Sequence, residues 1–115
     1  MALVLPMLVS MSNLVPFKML SAIAALDSTL PDWKLLEVPA TSVRAYRLPV
    51  QFERAFSTSP LVQIAIVGLD VGKEDNVRLR VRALDVRPDG FTVHAETWFN
   101  TKIWAVEVSW LAIGS

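Results

Sequence analysis

From Val43 onward the chain is a succession of short apolar runs separated by turn signals, with no helical repeat between them. That pattern leaves few folds open. Val77, Leu79, Val81 and Ala83 alternate with Arg78, Arg80 and Arg82, the two-residue period of a half-buried strand. The phase breaks near Leu84-Asp85, which predicts a bulge or the end of the strand. Pro88-Asp89-Gly90 predicts a turn, with the next strand over Phe91–Trp98. Val43–Phe52 alternates in part, and Pro49 suits an edge strand or a bulge because proline cannot donate to a ladder. Leu61–Leu69 is apolar on both faces and predicts a central strand covered from both sides. Ile103–Ile113 closes the chain, with Trp104, Val106, Val108 and Trp110 expected on one face. Strands at such intervals, joined by turns, predict an antiparallel all-β sandwich. Without helices between them, a parallel βαβ fold is disfavoured.

Residues 1–42 read differently. Residues 1–17 carry no charged side chain. A secretory signal would start with positive charge, and a membrane helix would need about 18 unbroken apolar residues. Pro6, Ser10, Ser12, Asn13, Pro16 and Lys18 interrupt the run too early. The first-ranked reading is a segment packed on the domain or between subunits; a vestigial leader ranks second. No membrane span is expected, and the chain reads as soluble, cytoplasmic or secreted without a typical signal. From Pro16 to Leu26, Met19, Leu20, Ile23 and Leu26 recur at helical spacing among alanines, which predicts one short helix. Asp27-Ser28-Thr29 would stop it, and residues 33–42 would connect onward. The expected organisation is an N-terminal extension over 1–42 and a β-sandwich domain over 43–115.

Charge and chemistry narrow the function. Eleven basic residues balance eleven acidic ones, which argues against a nucleic-acid binder. The absence of cysteine excludes a disulfide, a thiolate metal site and a cysteine nucleophile. The chain lacks GxSxG, HExxH, P-loop and GxGxxG motifs, so neither an enzyme nor a cofactor is expected. His94 reads as a half-exposed strand histidine. Glu96 and Glu107 fit ion pairs with the arginine row better than the carboxylate pair of a glycosidase. Asp70, Glu74 and Asp75 lack EF-hand spacing and read as solvated loop residues.

Two features remain. Arg80 and Arg82 read as a cross-strand ladder, whereas Arg78 opens its strand beside a loop, where ligands are reached. Trp98-Phe99-Asn100-Thr101 puts aromatic and hydrogen-bonding side chains at one turn, with Trp104 close behind. Sugars are held by aromatic faces against their C–H patches and by amide and guanidinium groups on their hydroxyls. Trp98, Phe99, Asn100 and Arg78 supply that set, and Trp110 reads as core.

The stretch Val50–Ile113 resembles the H-type lectin domain, the family of the edible-snail agglutinin and the discoidin C-terminal domains. The resemblance is carried by Phe52, Ser59-Pro60, LVQIAIVGLD, Asn76-Val77-Arg78, Gly90-Phe91, Thr97-Trp98-Phe99-Asn100-Thr101-Lys102 and Val108-Ser109-Trp110-Leu111-Ala112-Ile113. It implies a six-stranded antiparallel sandwich that assembles as a homotrimer, and in the family trimers stack into hexamers. It also implies binding of terminal N-acetylgalactosamine or galactose in a shallow site between subunits. Arg78 falls on the family's sugar-contacting arginine, Trp98 on its tryptophan, and Trp104 on an aromatic lining the same site. The chain departs from the family in three ways. Phe99 stands where a polar residue is usual. No acid stands near Pro39-Ala40-Thr41-Ser42, where the family has an aspartate. Ser57 and Ala95 replace the cysteines of the snail proteins. The alternative reading is a structural trimerisation or adhesion module that has lost sugar binding.

Overall fold

The computed structural model describes residues 17–37, 42–73 and 76–115. The apolar leader before Phe17, Pro39–Thr41 in the connector, and Glu74 and Asp75 in the acidic loop lie outside the described residues. Six antiparallel strands form two sheets: β1 (Lys18–Asp27), β2 (Arg44–Gln51), β3 (Leu61–Val71), β4 (Arg80–Arg87), β5 (Gly90–Thr97) and β6 (Ile103–Gly114). One sheet has the order β1-β6-β3 and the other β2-β5-β4. The all-β sandwich expected from the turn spacing is the fold observed.

The central strands supply most of the core. Phe91, Val93 and Ala95 of β5 face Val106, Val108, Trp110 and Ala112 of β6, and all are buried. Phe91 meets Trp110 edge-on, with ring centroids 5.3 Å apart, a favoured aromatic geometry. Phe52 and Phe56 close one end of this layer. Leu26, Leu35 and Ile103 fill out the remaining buried cluster.

The segment expected to be a helix is instead β1, which pairs with β6 from Lys18↔Gly114 to Asp27↔Ala105. Its apolar residues satisfy both periods, because Leu20, Ala24 and Leu26 also share one face of a strand. A strand as long as β6 has two edges to pair, and that tertiary demand overrides the weak helix preference of the alanines. The strand ends where Asp27 accepts the Thr29 amide at 2.8 Å and the Thr29 hydroxyl. Those bonds hold the Asp27 carboxyl below its usual range.

Leu61–Leu69 is likewise not a central, doubly covered strand. It lies within β3 at the edge of its sheet, and Leu61, Ile66, Val67 and Leu69 are exposed. Its ladder with β6 shifts at Val67, between Ile66 and Gly68, where the Glu107 side chain fills the space a Gly68 Cβ would take. Trp104 also departs from expectation: Val106, Val108 and Trp110 point inward, whereas Trp104 is exposed. A second irregularity sets Asp70 and Val71 opposite Ala105 and Ile103, skipping Trp104 and breaking the alternation there.

Other readings hold. Pro49 lies on edge strand β2, and the phase break in β4 is a register shift after Leu84 with Asp85 at φ 53°. Gly90 begins β5 so close to β2 that an added Cβ would lie 2.2 Å from the Val50 carbonyl oxygen. Gly90→Ala should therefore lower stability by about 1–3 kcal/mol or more, the cost of overpacking against backbone that cannot yield. Gly72→Ala, whose Cβ meets nothing nearer than 3.5 Å, serves as the near-neutral control. Urea midpoints of the two variants check this.

Candidate functional site

The site is built at the end of the β2-β5-β4 sheet, where the β5–β6 turn meets the segment leading into β4. Arg78 lies just before β4, and its Nη1 donates to Asn100 Oδ1 at 3.0 Å and Thr101 Oγ1 at 3.1 Å. The Thr101 hydroxyl in turn donates to the Asn76 carbonyl, and the Thr97 hydroxyl donates to the Arg78 carbonyl. Both threonines are buried, so these bonds fix the arginine's backbone and its head group together. The Arg78 guanidinium also lies 4.9 Å from the centre of the Phe99 ring, within cation–π reach.

Phe99 occupies the turn with φ 55°, a left-handed conformation that costs a bulky residue roughly 1–2 kcal/mol. The residue is 53% exposed. Its carbonyl is held by Arg44, which sequence reasoning missed. Arg44 is the first residue of β2 and only 6% exposed. Its Nη2 donates to the carbonyls of Phe99 and Thr101, both at 2.8 Å. Its Nη1 donates to the carbonyls of Leu35 at 3.1 Å and Glu37 at 2.9 Å. Burial lowers the pKa of this guanidinium, and the Glu37 carboxylate pulls it partly back. The only signal in the sequence is parity: Arg44 shares the inward phase of Tyr46, Leu48 and Val50.

Trp98 follows β5 and lies beside Arg80, whose guanidinium carbon is 5.2 Å from the ring centre. Arg78, Phe99 and Asn100 are thus in direct contact, and Trp98 adjoins them through the chain and the arginine row. Trp104 is set apart. It stands on β6 in the other sheet, 48% exposed, and its side chain makes no ring contact or hydrogen bond with these four among the described residues. Glu96 pairs with Arg80 at 3.4 Å, as the ladder reading expects. Glu107 does not join it, because it projects from the β1-β6-β3 sheet beside Gly68. That separation removes the two carboxylates as a catalytic pair. No group of three or more metal-ligating side chains occurs among the described residues.

An aromatic surface next to a pinned guanidinium and an amide is chemistry suited to a polar ligand, and comparison with known proteins shows the family of the chain. Residues 47–113 match the H-type lectin domain. The chain belongs to the H-type lectin domain family. This is a family of carbohydrate-binding lectins, and its members bind sugars without catalysing a reaction. A protein of Fuscovulum blasticum named "ATP synthase subunits region ORF 7" is 38% identical over 72 residues, covering 63% of each chain. Wild-type discoidin II of Dictyostelium discoideum superposes on 91% of this chain with a TM-score of 0.75 at 17% identity. A recombinant form of discoidin II covers 92% with a TM-score of 0.72 at 19% identity. These two likenesses establish the fold. In both, this H-type lectin domain spans 39% of the discoidin chain. No helix among the described residues is long and apolar enough to cross a membrane.

Arg44 holds the connector and the site turn of this lectin domain together. Arg44→Ala should strand four carbonyls at a buried position and destabilise the fold by about 3–5 kcal/mol, the range for breaking a buried charged contact. Arg44→Lys, with one compact donor group in place of a fork, should recover only part. Thermal and chemical unfolding of both variants measure it.

Proposed function

We propose that this chain binds terminal N-acetylgalactosamine or galactose without chemical turnover, and that Arg78, Trp98, Phe99, Asn100 and Trp104 make the site. The observation that carries this reading is the Arg78 head group. Its Nη1 is committed to Asn100, Thr101 and the Asn76 carbonyl, and its guanidinium lies by Phe99, so the head group is held in place with Nε and Nη2 left for a ligand. A donor group so held beside an exposed ring fits a sugar with one polar and one C–H face. Phe99 offers that site apolar area where the family usually offers a hydrogen bond. A single site of this size is expected to bind with a Kd from about a millimolar to tens of micromolar. A glycan array probed with the purified chain should give a signal competed by free N-acetylgalactosamine or galactose, and Arg78→Ala should lower it at least about tenfold. A blank array from folded protein would favour a structural module that has lost sugar binding.

Useful avidity from such a site needs several copies in fixed geometry. The outer face of the β1-β6-β3 sheet supports assembly. Met19, Ile23, Leu61 and Val67 are exposed there, Ile23 and Leu61 at 65% and 63%, and Ala25, Ala65, Leu111 and Ile113 extend the patch along the same register. A shallow groove of ≈ 540 Å³ runs between β3 and β6 past Gln63, Ala65, Ser109 and Leu111. An apolar sheet face of this kind is the mark of an interface. The proposed occupants are further copies of the chain, in a homotrimer that can stack into a hexamer. Trp104, remote from Arg78 within one copy, would complete a neighbour's site. Ile23→Asp should shift the mass seen by analytical ultracentrifugation from trimer or hexamer to monomer and weaken array binding in parallel. A wild-type chain that sediments as a monomer would overturn the assembly.

A further inference from the structure

The outer face of the β2-β5-β4 sheet carries more positive charge than the proposed sugar site uses. Cross-strand register places His94 between Arg47 of β2 and Arg82 of β4, and Glu96 beside Arg80 in the next row. Three guanidiniums therefore share two rows with one carboxylate. Arg80 engages it, Nη1 to Oε1 at 3.4 Å. Arg47 Nε donates to His94 Nδ1 at 3.1 Å, and His94 Nε2 lies 4.0 Å from Glu96 Oε2. Arg82 is exposed and makes no hydrogen bond or ion pair among the described residues. Like charges on adjacent same-face positions of a strand repel unless an anion lies between them. No acid of the chain does that for Arg82 among the described residues.

The row is continuous with the sugar site. Arg78 lies over Phe99, and Arg80, two residues on, lies over Trp98. Arg82 comes two residues further along the same face, roughly 13 Å from Arg78 at the usual rise per strand residue. That span matches an oligosaccharide, whose terminal residue sits by Arg78 while the following ones run across the sheet.

We infer that Arg82, with Arg47 and Arg80, forms an anion subsite that receives a sulfate ester or carboxylate carried by an inner residue of the bound glycan. Guanidinium forks are suited to both groups, because their donors match paired oxygens. A nucleic acid is the poorer fit: the chain as a whole is neutral, and a short row neutralises few phosphates. This inference rests on the lectin reading above and names the glycan class for it.

The test is an array of galactose- and N-acetylgalactosamine-terminated chains in matched neutral, sulfated and uronate-bearing forms, with a single-stranded oligonucleotide alongside. Wild-type protein should prefer the charged member of a pair by about tenfold, and the preference should shrink as salt rises. Arg82→Gln, an outward-facing change whose folding is checked by thermal unfolding, should erase most of the preference while neutral glycans bind as before. Arg47→Gln should reduce it less, and Arg78→Ala should remove both classes. Neutral and charged members bound equally, or a preference that survives Arg82→Gln, would overturn the subsite and leave the lectin reading standing. Binding of no glycan would overturn both. Arg82-dependent capture of the oligonucleotide in place of charged glycans would overturn the subsite in favour of nucleic acid.

Discussion

A buried guanidinium is tolerated when most of its hydrogen bonds are met, and at Arg44 that requirement organises one whole end of the sandwich. Its two Nη groups find four carbonyls, while the buried Nε–H alone lacks a partner among the described residues. Four backbone carbonyls converge on it, two from the connector before β2 and two from the turn between β5 and β6. Segments distant in sequence are thereby clamped by one side chain at the head of an edge strand. The left-handed Phe99 is part of the same arrangement, since its carbonyl is one of the four. Strain of that kind persists where surrounding contacts over-determine it. Trp33 strengthens the clamp by donating its indole N–H to the Ile103 carbonyl at 3.0 Å while its ring leans on Tyr46. The site turn is thus tied by hydrogen bonds to the core beneath it.

The two outer faces of the sandwich have opposite chemistry. That of β1-β6-β3 is mostly apolar, whereas that of β2-β5-β4 carries arginines, a histidine and a glutamate. Two three-stranded sheets share one core, so this asymmetry does nothing for the folding of a single copy. It leaves one face apolar and the other rich in charge and hydrogen-bonding groups.

What the residues disclosed directly was the strand content from Val43 onward, because period-two alternation and turn chemistry are local signals. Pro49 on an edge, the break at Leu84-Asp85 and the Arg80–Glu96 pair were all legible in that way. The errors share a different cause. Lys18–Asp27 carries a pattern compatible with helix and strand, and only its long-range pairing with β6 decides between them. The apolar run of β3 implied cover on both faces, but nothing local says which face the fold leaves open. Trp104 left its expected face through an irregularity specified by the partner strand. Arg44 escaped notice because a lone arginine in the core phase gives no hint of four acceptors gathered from elsewhere. Within the candidate site, the turn aromatics, Asn100 and Arg78 were readable as neighbours from spacing and family likeness together, whereas the hydroxyl relay through Thr97 and Thr101 became visible only in three dimensions.

The kink at Val67 has a consequence for how β3 finds its place. A strand that is apolar on both sides gains nearly as much by burying either one, so hydrophobicity alone cannot reject a one-residue slip. Here close packing beside Gly68 adds a preference. Glu107 needs an empty neighbour, and Gly68 is the residue of β3 that provides one, with the would-be Cβ 3.1 Å from the Glu107 carboxyl group. Alignment of this ladder is therefore favoured by a missing side chain acting as a notch, and the tooth that enters it belongs to the strand beside it.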